Sequence, residues 1–307
     1  MKKNKLLKNL LKVLISLLIL GVLVYKLDIT KIYSTLSKIT VIPIILILLH
    51  YGFTIFFNAL GLGALTNALD LKIRFKKLLK YYILAYSIGR FTPAKAGEFS
   101  LVHFLSKGDT SHGKSLLITL VYKLITIFVL SILSIMGFFL FFPERAIDLS
   151  LLIIGIIVVM GFLMISSRIR EIIKRRILKK KASKFRGFSK SLFYLLKEKK
   201  SALLWCFLII TLRVFLTAIT IWAVFLSLNI NVPILTIMII NALGLIITLI
   251  PISISGLGIK EAATVFLYSK LDIDAVISGS IYLLLAFFHF AISALILLFF
   301  ILKKRKH

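Results

Sequence analysis

Two short polar stretches hold the residues of this chain that could bind a charged ligand within otherwise apolar sequence. The first, TPAKAGEFS from Thr92 to Ser100, places Lys95 and Glu98 beside Pro93 and Gly97. Proline and glycine interrupt a helix, and a new helix begins with exposed N–H groups that suit an anion such as a phosphate. A glutamate there can cap the new helix, or it can meet a cation or a proton. The stretch therefore indicates a binding site at a helix break.

The second stretch, PISISGLGIKE, uses the same residue types 158 positions further along, counted from Pro93 to Pro251 (251 − 93). It contains two glycines, Gly256 and Gly258, followed by the pair Lys260 and Glu261. Glycine allows backbone angles that other residues resist and lets a ligand approach closely. We therefore predict a second interrupted helix with its own charged pair.

The two stretches also continue alike. EFSLVHFLSKGD begins at Glu98 and EAATVFLYSKLD begins at Glu261, and five of the twelve positions are identical without a gap. Interrupted segments at equivalent places in two halves of a chain are typical of transporters built as inverted repeats. This similarity predicts that both stretches contribute to one site.

Apolar runs of about twenty residues must position these stretches. The chain has 307 residues, is 60% hydrophobic and has a mean hydropathy of +1.05. These values predict an all-α polytopic membrane protein. The predicted full spans are 13–27, 41–66, 115–142, 149–165, 203–228 and 275–302, and the predicted broken segments are 78–108 and 234–272. The first run lacks a small-residue cleavage site after it, so we expect a retained span.

The distribution of lysine and arginine predicts the orientation of the spans. Fourteen of these residues lie in 168–200 and four lie in 67–77, and both ends of the chain are basic. The positive-inside rule places these segments, with the N-terminus and the C-terminus, on the cytoplasmic side of the cell membrane. Each broken segment must then return to the side that it left. We therefore predict two re-entrant hairpins, of which the first opens from the cytoplasm and the second from outside.

This topology predicts a single integral membrane domain, 1–307. A first repeat at 41–142 and a second at 203–302 would run antiparallel, with the basic cytoplasmic segment 168–200 between them. The remaining polar segments are too short to form a separate soluble domain.

The net charge of +29 favours membrane lipids over nucleic acid as partners, because the basic residues gather in short loops between spans. We expect these loops to contact anionic headgroups. Cys206 is the only cysteine and lies in an apolar run, which excludes an intramolecular disulfide and a cysteine-based metal site. We expect no metal and no cofactor. The oligomeric state does not follow from the sequence.

A few further polar residues lie within or beside the predicted spans. Charged side chains at membrane depth rarely face lipid, so Lys123 and Arg213 are candidates for a cavity or for pairing with other side chains. Arg90 flanks the first break and could meet a phosphate, while Lys95 could pair with Glu98 instead. His50 and His289 are each expected to be hydrogen-bonded structural residues, and Asn58 and Asn241 could join spans.

These residues resemble those of a known family. RFTPAKAGEFSLVHFL, the following LVYKLITIF and the later IPISISGLGIKEAATVFL are similar to the two signature regions of the lysylphosphatidylglycerol synthase transmembrane-region family. The resemblance covers about residues 10–300. It implies a flippase-like membrane protein that stands alone, without the aminoacyl-transferase domain. The positions that match the motifs are Pro93, Gly97, Glu98, Pro251, Gly256, Gly258, Lys260 and Glu261.

The sequence also departs from the family pattern at several positions. Lys123 stands where the family usually has an arginine, and Thr126 lies near the place of an expected acidic residue. The arginine of the last span has no counterpart in YLLLAFF at 282–288. These differences bear on the substrate more than on the fold.

The combined interpretation is a flippase-like protein that binds and translocates a phosphate-bearing lipid, either an aminoacylated phospholipid or a polyprenyl-phosphate-linked carrier. The expected substrate-binding residues are Arg90, Lys95, Gly97, Glu98, Lys123, Arg213, Gly256, Gly258, Lys260 and Glu261, with Pro93 and Pro251 shaping the hairpins. The alternatives are a small-solute or ion transporter and a membrane-embedded lipid-modifying enzyme. We expect no enzyme, because the sequence contains no catalytic constellation that we recognise.

The topology can be tested with single cysteines in a Cys206→Ser background. Because the predicted orientation places them on opposite sides, Asn231→Cys should react with an impermeant maleimide from outside, and Lys180→Cys should react only after the membrane is opened. Labelling of both from the same side would contradict the antiparallel arrangement of the repeats.

Overall fold

A computed structural model describes residues 2–106, 111–166, 168, 171 and 187–305. The protein is an all-α polytopic membrane protein, and within these ranges it contains helices and turns but no strand longer than an isolated bridge. The α-helices, numbered in chain order, are α1 Lys2–Leu27, α2 Ile29–Leu36, α3 Val41–Ala68, α4 Phe75–Arg90, α5 Ser100–Leu105, α6 His112–Phe141, α7 Ala146–Ile165, α8 Phe188–Glu198, α9 Lys200–Ser227, α10 Ile234–Ile247, α11 Ile259–Ser269 and α12 Ala275–Arg305.

Five helical stretches are long and apolar enough to cross a membrane. They are Val41–Ala68, His112–Phe141, Pro143–Ile165, Lys200–Ser227 and Ala275–Lys303. Each coincides with a predicted span. The predicted span 13–27 lies in α1, which forms a sixth candidate together with α2 across a bend of 79°. The sequence therefore predicted the positions of these five apolar helices, and the sixth predicted span corresponds to the bent pair.

The bend between α1 and α2 is made by Asp28, which has a φ angle of 65° and caps α2. Its carboxylate accepts hydrogen bonds from the backbone N–H of Thr30 at 2.9 Å and from the Thr30 hydroxyl at 2.6 Å. The cap therefore starts a new, differently directed helix.

The two predicted broken segments are present. The first consists of α4, an irregular stretch, a 3₁₀ turn at Ala96–Phe99 and the six-residue α5. The second consists of α10, an irregular stretch and α11. With 16 and 14 residues, α4 and α10 reach about 24 Å and 21 Å, which is less than a hydrocarbon core of about 30 Å. Neither helix is long enough to cross the membrane alone.

The chain separates into two compact units. The first contains Met1–Thr54, Leu84–Glu98 and Val214–His307, and the second contains Ile55–Ile83 and Phe99–Arg213. The helices α3, α4 and α9 contribute residues to both. We predicted a single membrane domain with repeats at 41–142 and 203–302. The division into two compact units does not test either statement, so both stay predictions.

In the first unit, α1 and α2 pack against the second broken segment and the last helix. Leu23, Leu27, Ile32 and Val265 form a buried apolar cluster. Gly279 of α12 brings its backbone close to Leu27, since a Cβ atom there would lie 2.3 Å from Cδ1 of that leucine. Burial of these side chains holds the N-terminal helices to α11 and α12.

In the second unit, α6 packs against α5, α7 and α8. The Tyr122 hydroxyl on α6 donates a hydrogen bond to Oδ1 of Asn58 on α3, as predicted for Asn58. Cys206 is a buried free thiol, and it lies beside Gly61, where a Cβ would meet its sulfur at 3.5 Å. Most of the basic segment 168–200 lies outside the described residues, apart from Arg168, Glu171 and the stretch 187–200 that includes α8.

A glycine comparison tests the packing of the first break. A Cβ atom on Gly97 would lie 2.7 Å from the backbone of Ile88, whereas a Cβ on Gly52 would meet no atom within 4 Å. We expect Gly97→Ala to destabilise the protein by about 1–3 kcal/mol through overpacking. Thermal denaturation in detergent should show a lowered midpoint for this variant. Gly52→Ala serves as the control and should melt at or above the wild-type midpoint, and equal midpoints would contradict the close packing.

Candidate functional site

The tips of the two broken segments meet within the first unit. Pro93 and Ile254 form an isolated antiparallel bridge, and the backbone N–H of Ser255 donates to the carbonyl oxygen of Thr92 at 3.2 Å. Non-helical backbone at membrane depth must find partners inside the protein. The tips therefore satisfy part of each other's backbone.

The first break follows from Thr92 and Pro93. A proline cannot donate a backbone hydrogen bond and clashes with the carbonyl four residues before it, here that of Gly89. The Gly89 carbonyl instead accepts from the Thr92 N–H at 3.1 Å and from the Thr92 hydroxyl at 3.0 Å. The same hydroxyl accepts from the N–H of Gly97 at 2.7 Å. Thr92 thus joins the end of α4 to the turn that begins the next arm.

The second break depends on two glycines with positive φ angles. Gly256 has a φ of 80°, and a Cβ there would lie 2.2 Å from Cγ2 of Thr248. Gly258 has a φ of 84° and precedes α11, where its N–H donates to Oε2 of Glu261 at 2.7 Å. Glu261 therefore caps its own helix, in the role that the sequence suggested.

Glu98 is buried at the corresponding place after the first break. Its side chain is 7% exposed and lies against Gly89, where a Cβ atom would approach Cγ of Glu98 to 2.5 Å. The carboxylate also interacts electrostatically with Arg90. Only a glycine at position 89 lets this carboxylate lie so close to α4, and the sequence analysis did not single it out.

Ser16 of α1 completes the second tip and was also missed. Its hydroxyl accepts from the N–H of Ile254 at 2.9 Å and donates to the carbonyl of Lys12 at 2.8 Å. A Cβ on Gly258 would lie 3.2 Å from the Ser16 carbonyl oxygen, so α1 runs directly over this turn. A serine in an apolar helix is too common to have indicated this contact.

Arg90, Lys95, Gly256, Lys260 and Glu261 line one cavity of about 60 Å³ in the first unit. The lining side chains carry three formal positive charges and one negative charge, which leaves an excess of two positive charges. The structure thus brings together five of the predicted substrate-binding residues. Gly97 and Gly258 belong to the adjoining turns. Glu98 packs against Gly89 and does not line this cavity. Lys123 and Arg213 belong to the second unit, and their substrate contacts stay predictions.

Arg90 is held in place by α12 and by its own helix. One terminal nitrogen, Nη2, donates to Nδ1 of His289 at 2.9 Å and to the hydroxyl of Tyr86, and Cζ lies 4.9 Å from the centre of the Tyr86 ring. Because a guanidinium can only donate, Nδ1 of His289 accepts and carries no proton. His289 is therefore a hydrogen-bonded histidine as predicted, with a partner that the sequence did not indicate.

Further aromatic and hydroxyl groups surround this histidine. The ring centres of His50 and Tyr51 lie 5.5 Å and 5.6 Å from that of His289. The Tyr51 hydroxyl lies 3.2 Å from Oγ of Ser87 and 3.1 Å from Oγ of Ser293. These contacts fix the side chains next to Arg90.

On the other side of the cavity, Nζ of Lys260 lies 5.4 Å from the centre of the Tyr282 ring. The Tyr282 hydroxyl lies 3.3 Å from that of Tyr268. A cation over an aromatic face is stabilised by the electrons of the ring. Lys260 is thereby positioned by α12, although it belongs to α11.

Two of the residues that line the cavity are buried and polar. Asn241 is 3% exposed and Ser255 is 5% exposed. Among the described residues, no hydrogen-bond partner reaches Oδ1 of Asn241, Oγ of Ser255 or Nε of Arg90. Asn241 therefore does not join spans through this oxygen, in contrast to Asn58. Such atoms are normally satisfied by water or by a ligand.

The sequence is similar to that of a known protein family over most of its length. The sequence model of the family described as the lysylphosphatidylglycerol synthase TM region matches residues 9–296. The chain belongs to this family. The match includes both broken segments and extends from α1 into α12, so the resemblance found in the two motifs is confirmed over nearly the whole length. No curated protein matches the chain.

The contact of Ser16 can be tested by substitution. Ser16→Ala leaves the N–H of Ile254 without its partner, and we expect a loss of about 1–3 kcal/mol in the free energy of unfolding. Thermal denaturation measures this loss, and Ser34→Ala, which removes an exposed hydroxyl from α2, provides the control. If both variants melt alike, α1 does not support the second tip.

Proposed function

We propose that this membrane protein binds the phosphate of a lipid headgroup at the paired tips and translocates that lipid across the bilayer. The observation that carries the proposal is the cavity with three cationic side chains and one carboxylate between the two breaks. The candidate lipids are an aminoacylated phospholipid and a polyprenyl-phosphate-linked carrier.

The charge of the cavity favours an anionic group. Aromatic neighbours orient the side chains of Arg90 and Lys260. Both residues line the same cavity, so one oxyanion could interact with both. Partly buried cations are costly unless they meet an opposite charge. Hydrogen bonds from such cations to a phosphate are among the stronger ones in proteins, and arginine binds phosphate with two parallel donors.

The size of the cavity limits which part of a lipid it can hold. A volume of 60 Å³ takes about four water molecules or one group of phosphate size. In the proposal, the headgroup phosphate enters the protein and the acyl or prenyl chains stay in the bilayer. Lipid translocation requires this separation of the polar headgroup from the apolar chains.

The register of the two tips supports an inverted repeat. The offset from Glu98 to Glu261 is 163 residues (261 − 98), and the same offset relates Thr92 to Ser255 (255 − 92), the pair joined by a backbone hydrogen bond. Two antiparallel strands are related by a local two-fold axis. An axis through this pair would exchange the two broken segments, which is the symmetry expected of an inverted repeat.

The backbone before each glutamate is also alike. Lys95 and Gly258 lie three residues before Glu98 and Glu261, and both have positive φ angles, of 55° and 84°. A lysine in this conformation costs about 1 kcal/mol that a glycine avoids. A positive φ angle at this equivalent position supports the proposal that the two broken segments are repeats of each other.

The proposal includes an orientation in the cell membrane, with both termini in the cytoplasm. The basic segments would then face the anionic headgroups of the cytoplasmic leaflet, which attract lysine and arginine. The two alternatives differ in what enters the cavity. A solute transporter would take a soluble ion and move no lipid, and a lipid-modifying enzyme would change the lipid chemically.

Reconstitution into liposomes tests the proposal. Wild-type protein should move a fluorescent phosphate-bearing lipid between leaflets, and Glu261→Gln and Glu98→Gln should slow this movement about tenfold or more, because each removes a buried charge beside the cavity. Glutamine can still accept the N–H of Gly258, so the fold of the second tip should persist. Glu144→Gln changes an exposed glutamate in the turn before α7 and should move lipid at the wild-type rate.

The outcomes separate the alternatives. Lipid movement at the protein-free rate in wild type and in all variants would exclude a flippase. Chemically altered lipid in the same liposomes, detected by mass spectrometry, would indicate an enzyme instead.

A further inference from the structure

We propose that α2 is an interfacial helix, which lies in the headgroup region of the bilayer and presents Ile29 and Tyr33 to lipid beside Tyr25 of α1. The partner is the lipid surface at the end of the protein where α1 ends and α12 begins. The proposed binding at the two tips uses none of these three residues, so the two proposals can be tested separately.

The sequence of α2 makes one side of the helix apolar. Four apolar side chains, at spacings of three and four residues, share this side: Ile29, Ile32, Tyr33 and Leu36. The polar residues Thr30, Lys31 and Ser34 lie on the other side and are exposed. A helix with this division lies with its apolar side in the membrane interface and its polar side toward water.

The protein covers only part of the apolar side of α2. Ile32 belongs to the buried cluster with Leu27 and Val265, and Leu36 packs against that cluster. Ile29 and Tyr33, by contrast, are 68% and 76% exposed. Part of the apolar side thus holds α2 to the protein, and the rest faces outward.

Continuity with α1 indicates what covers the outward part. On α1, exposed residues at spacings of three and four form a stripe: Leu14, Leu18, Val22 and Tyr25. A helix that spans the membrane turns such a stripe toward lipid. Ile29 and Tyr33 continue the series at spacings of four, and the side chains change from aliphatic to aromatic at Tyr25. Because tyrosine concentrates where hydrocarbon meets headgroups, the stripe reaches the membrane surface at this point.

The bend and the charges beside it also place α2 at the membrane surface. Since α1 follows the direction of a span, α2, which is bent by 79° from it, runs nearly parallel to the membrane. Asp28 caps α2 and Asp274 caps α12, and both residues are exposed. Ala275, the first residue of α12, packs against the same cluster as Leu36. Because an exposed carboxylate is costly in hydrocarbon, this end of the protein reaches the headgroups.

The position of α2 also sets the depth of the two tips. Ser16, which contacts the second tip, lies eleven residues before Leu27 (27 − 16), or about 17 Å along α1. On α12, Gly279 lies against Leu27, and His289 of the cavity follows ten residues later (289 − 279), or about 15 Å. Both distances are close to half of a hydrocarbon core of about 30 Å. We therefore expect the cavity near the middle of the membrane.

The length of α12 gives the same depth. The apolar stretch Ala275–Lys303 has 29 residues and is about 44 Å long, which matches a bilayer of about 40–45 Å with its headgroups. His289 is its central residue, fourteen positions from either end (289 − 275 and 303 − 289). The distances along α1 and along α12 thus agree, and both helices meet α2 at the same membrane surface.

A tryptophan depth measurement tests the position of α2 and of the cavity. The variants Tyr33→Trp, Leu18→Trp and Phe287→Trp change exposed residues, in a background with Trp205→Phe and Trp222→Phe. The full-length protein is placed in liposomes of phosphatidylcholine that is brominated either next to the headgroup or near the chain ends. We expect bromine next to the headgroup to quench Tyr33→Trp about twofold more strongly than bromine near the chain ends.

The two probes on α1 and α12 should show the reverse preference. Leu18 lies nine residues from Leu27 (27 − 18) and Phe287 lies eight from Gly279 (287 − 279), which places both about 12–14 Å from the level of α2. Leu18→Trp and Phe287→Trp should therefore be quenched alike, and mainly by bromine near the chain ends.

A pair of cysteines tests the two sides of α2. In a Cys206→Ser background, Ser34→Cys should react with a charged maleimide about tenfold or more faster than Ile29→Cys, because the reactive thiolate forms in water. Both positions are exposed in the protein, so a difference reflects what surrounds the protein. Thermal denaturation confirms that each variant is folded.

Other results would overturn the inference. Equal reaction of Ser34→Cys and Ile29→Cys, without quenching of Tyr33→Trp by brominated lipid, would place α2 in water. Quenching of Tyr33→Trp mainly from the chain ends would make α2 the second half of a broken span. Quenching of this variant by neither brominated lipid nor aqueous iodide would mean that a protein surface, such as a second copy of this chain, covers the face.

The depth of the cavity has its own contrary outcome. Quenching of Leu18→Trp or Phe287→Trp mainly from the headgroup level would move the cavity away from the middle of the membrane. None of these measurements depends on whether the protein moves lipid, so they can fail while the proposed function holds, or succeed while it fails.

Discussion

The organisation of the first unit depends on the hydrogen bonding of non-helical backbone at the two breaks. Backbone groups that leave a helix inside a membrane have no water to bind, so each needs a partner within the protein. Here the carbonyl of Thr92 accepts from Ser255, the N–H of Ile254 donates to Ser16, and the N–H of Gly258 donates to Glu261. The cavity exists because these bonds hold the two tips against each other and against α1.

The same breaks that expose the backbone also concentrate charge. Glu261 both caps α11 and lines the cavity, so the same carboxylate has a structural role and an electrostatic role. Arg90 is similar, since its contacts with Tyr86 and His289 hold it in place and it also lines the cavity. A site of this kind uses helix ends as its framework, and the proposed transport would follow from the opening of two such ends to opposite sides.

Local features of the sequence predicted much of this structure. Apolar length predicted the spans, and Pro93 and Pro251 predicted where α4 and α10 stop, because proline acts on the residues directly before it. The pairing of lysine and glutamate after each break predicted Lys95, Lys260 and Glu261 as residues of one site, and all three line the cavity. The sequence did not indicate Ser16, Gly89, Tyr86 or the partner of His289. Serine, glycine and tyrosine are common in membrane helices. The contact of Ser16 with Ile254 and that of the Tyr86 hydroxyl with His289 each join residues more than 200 positions apart.

By itself, the sequence determined the membrane class, the spans and the two interruptions, since these follow from hydrophobic length and from steric effects between neighbouring residues. It also determined the family, through the similarity of residues 9–296 to other members. The tertiary structure alone decided that the tips pair through Thr92 and Ser255, that α1 covers the second turn, and that Arg90 meets His289. These contacts depend on which distant helices pack together, and side-chain packing and burial over the whole unit select that arrangement.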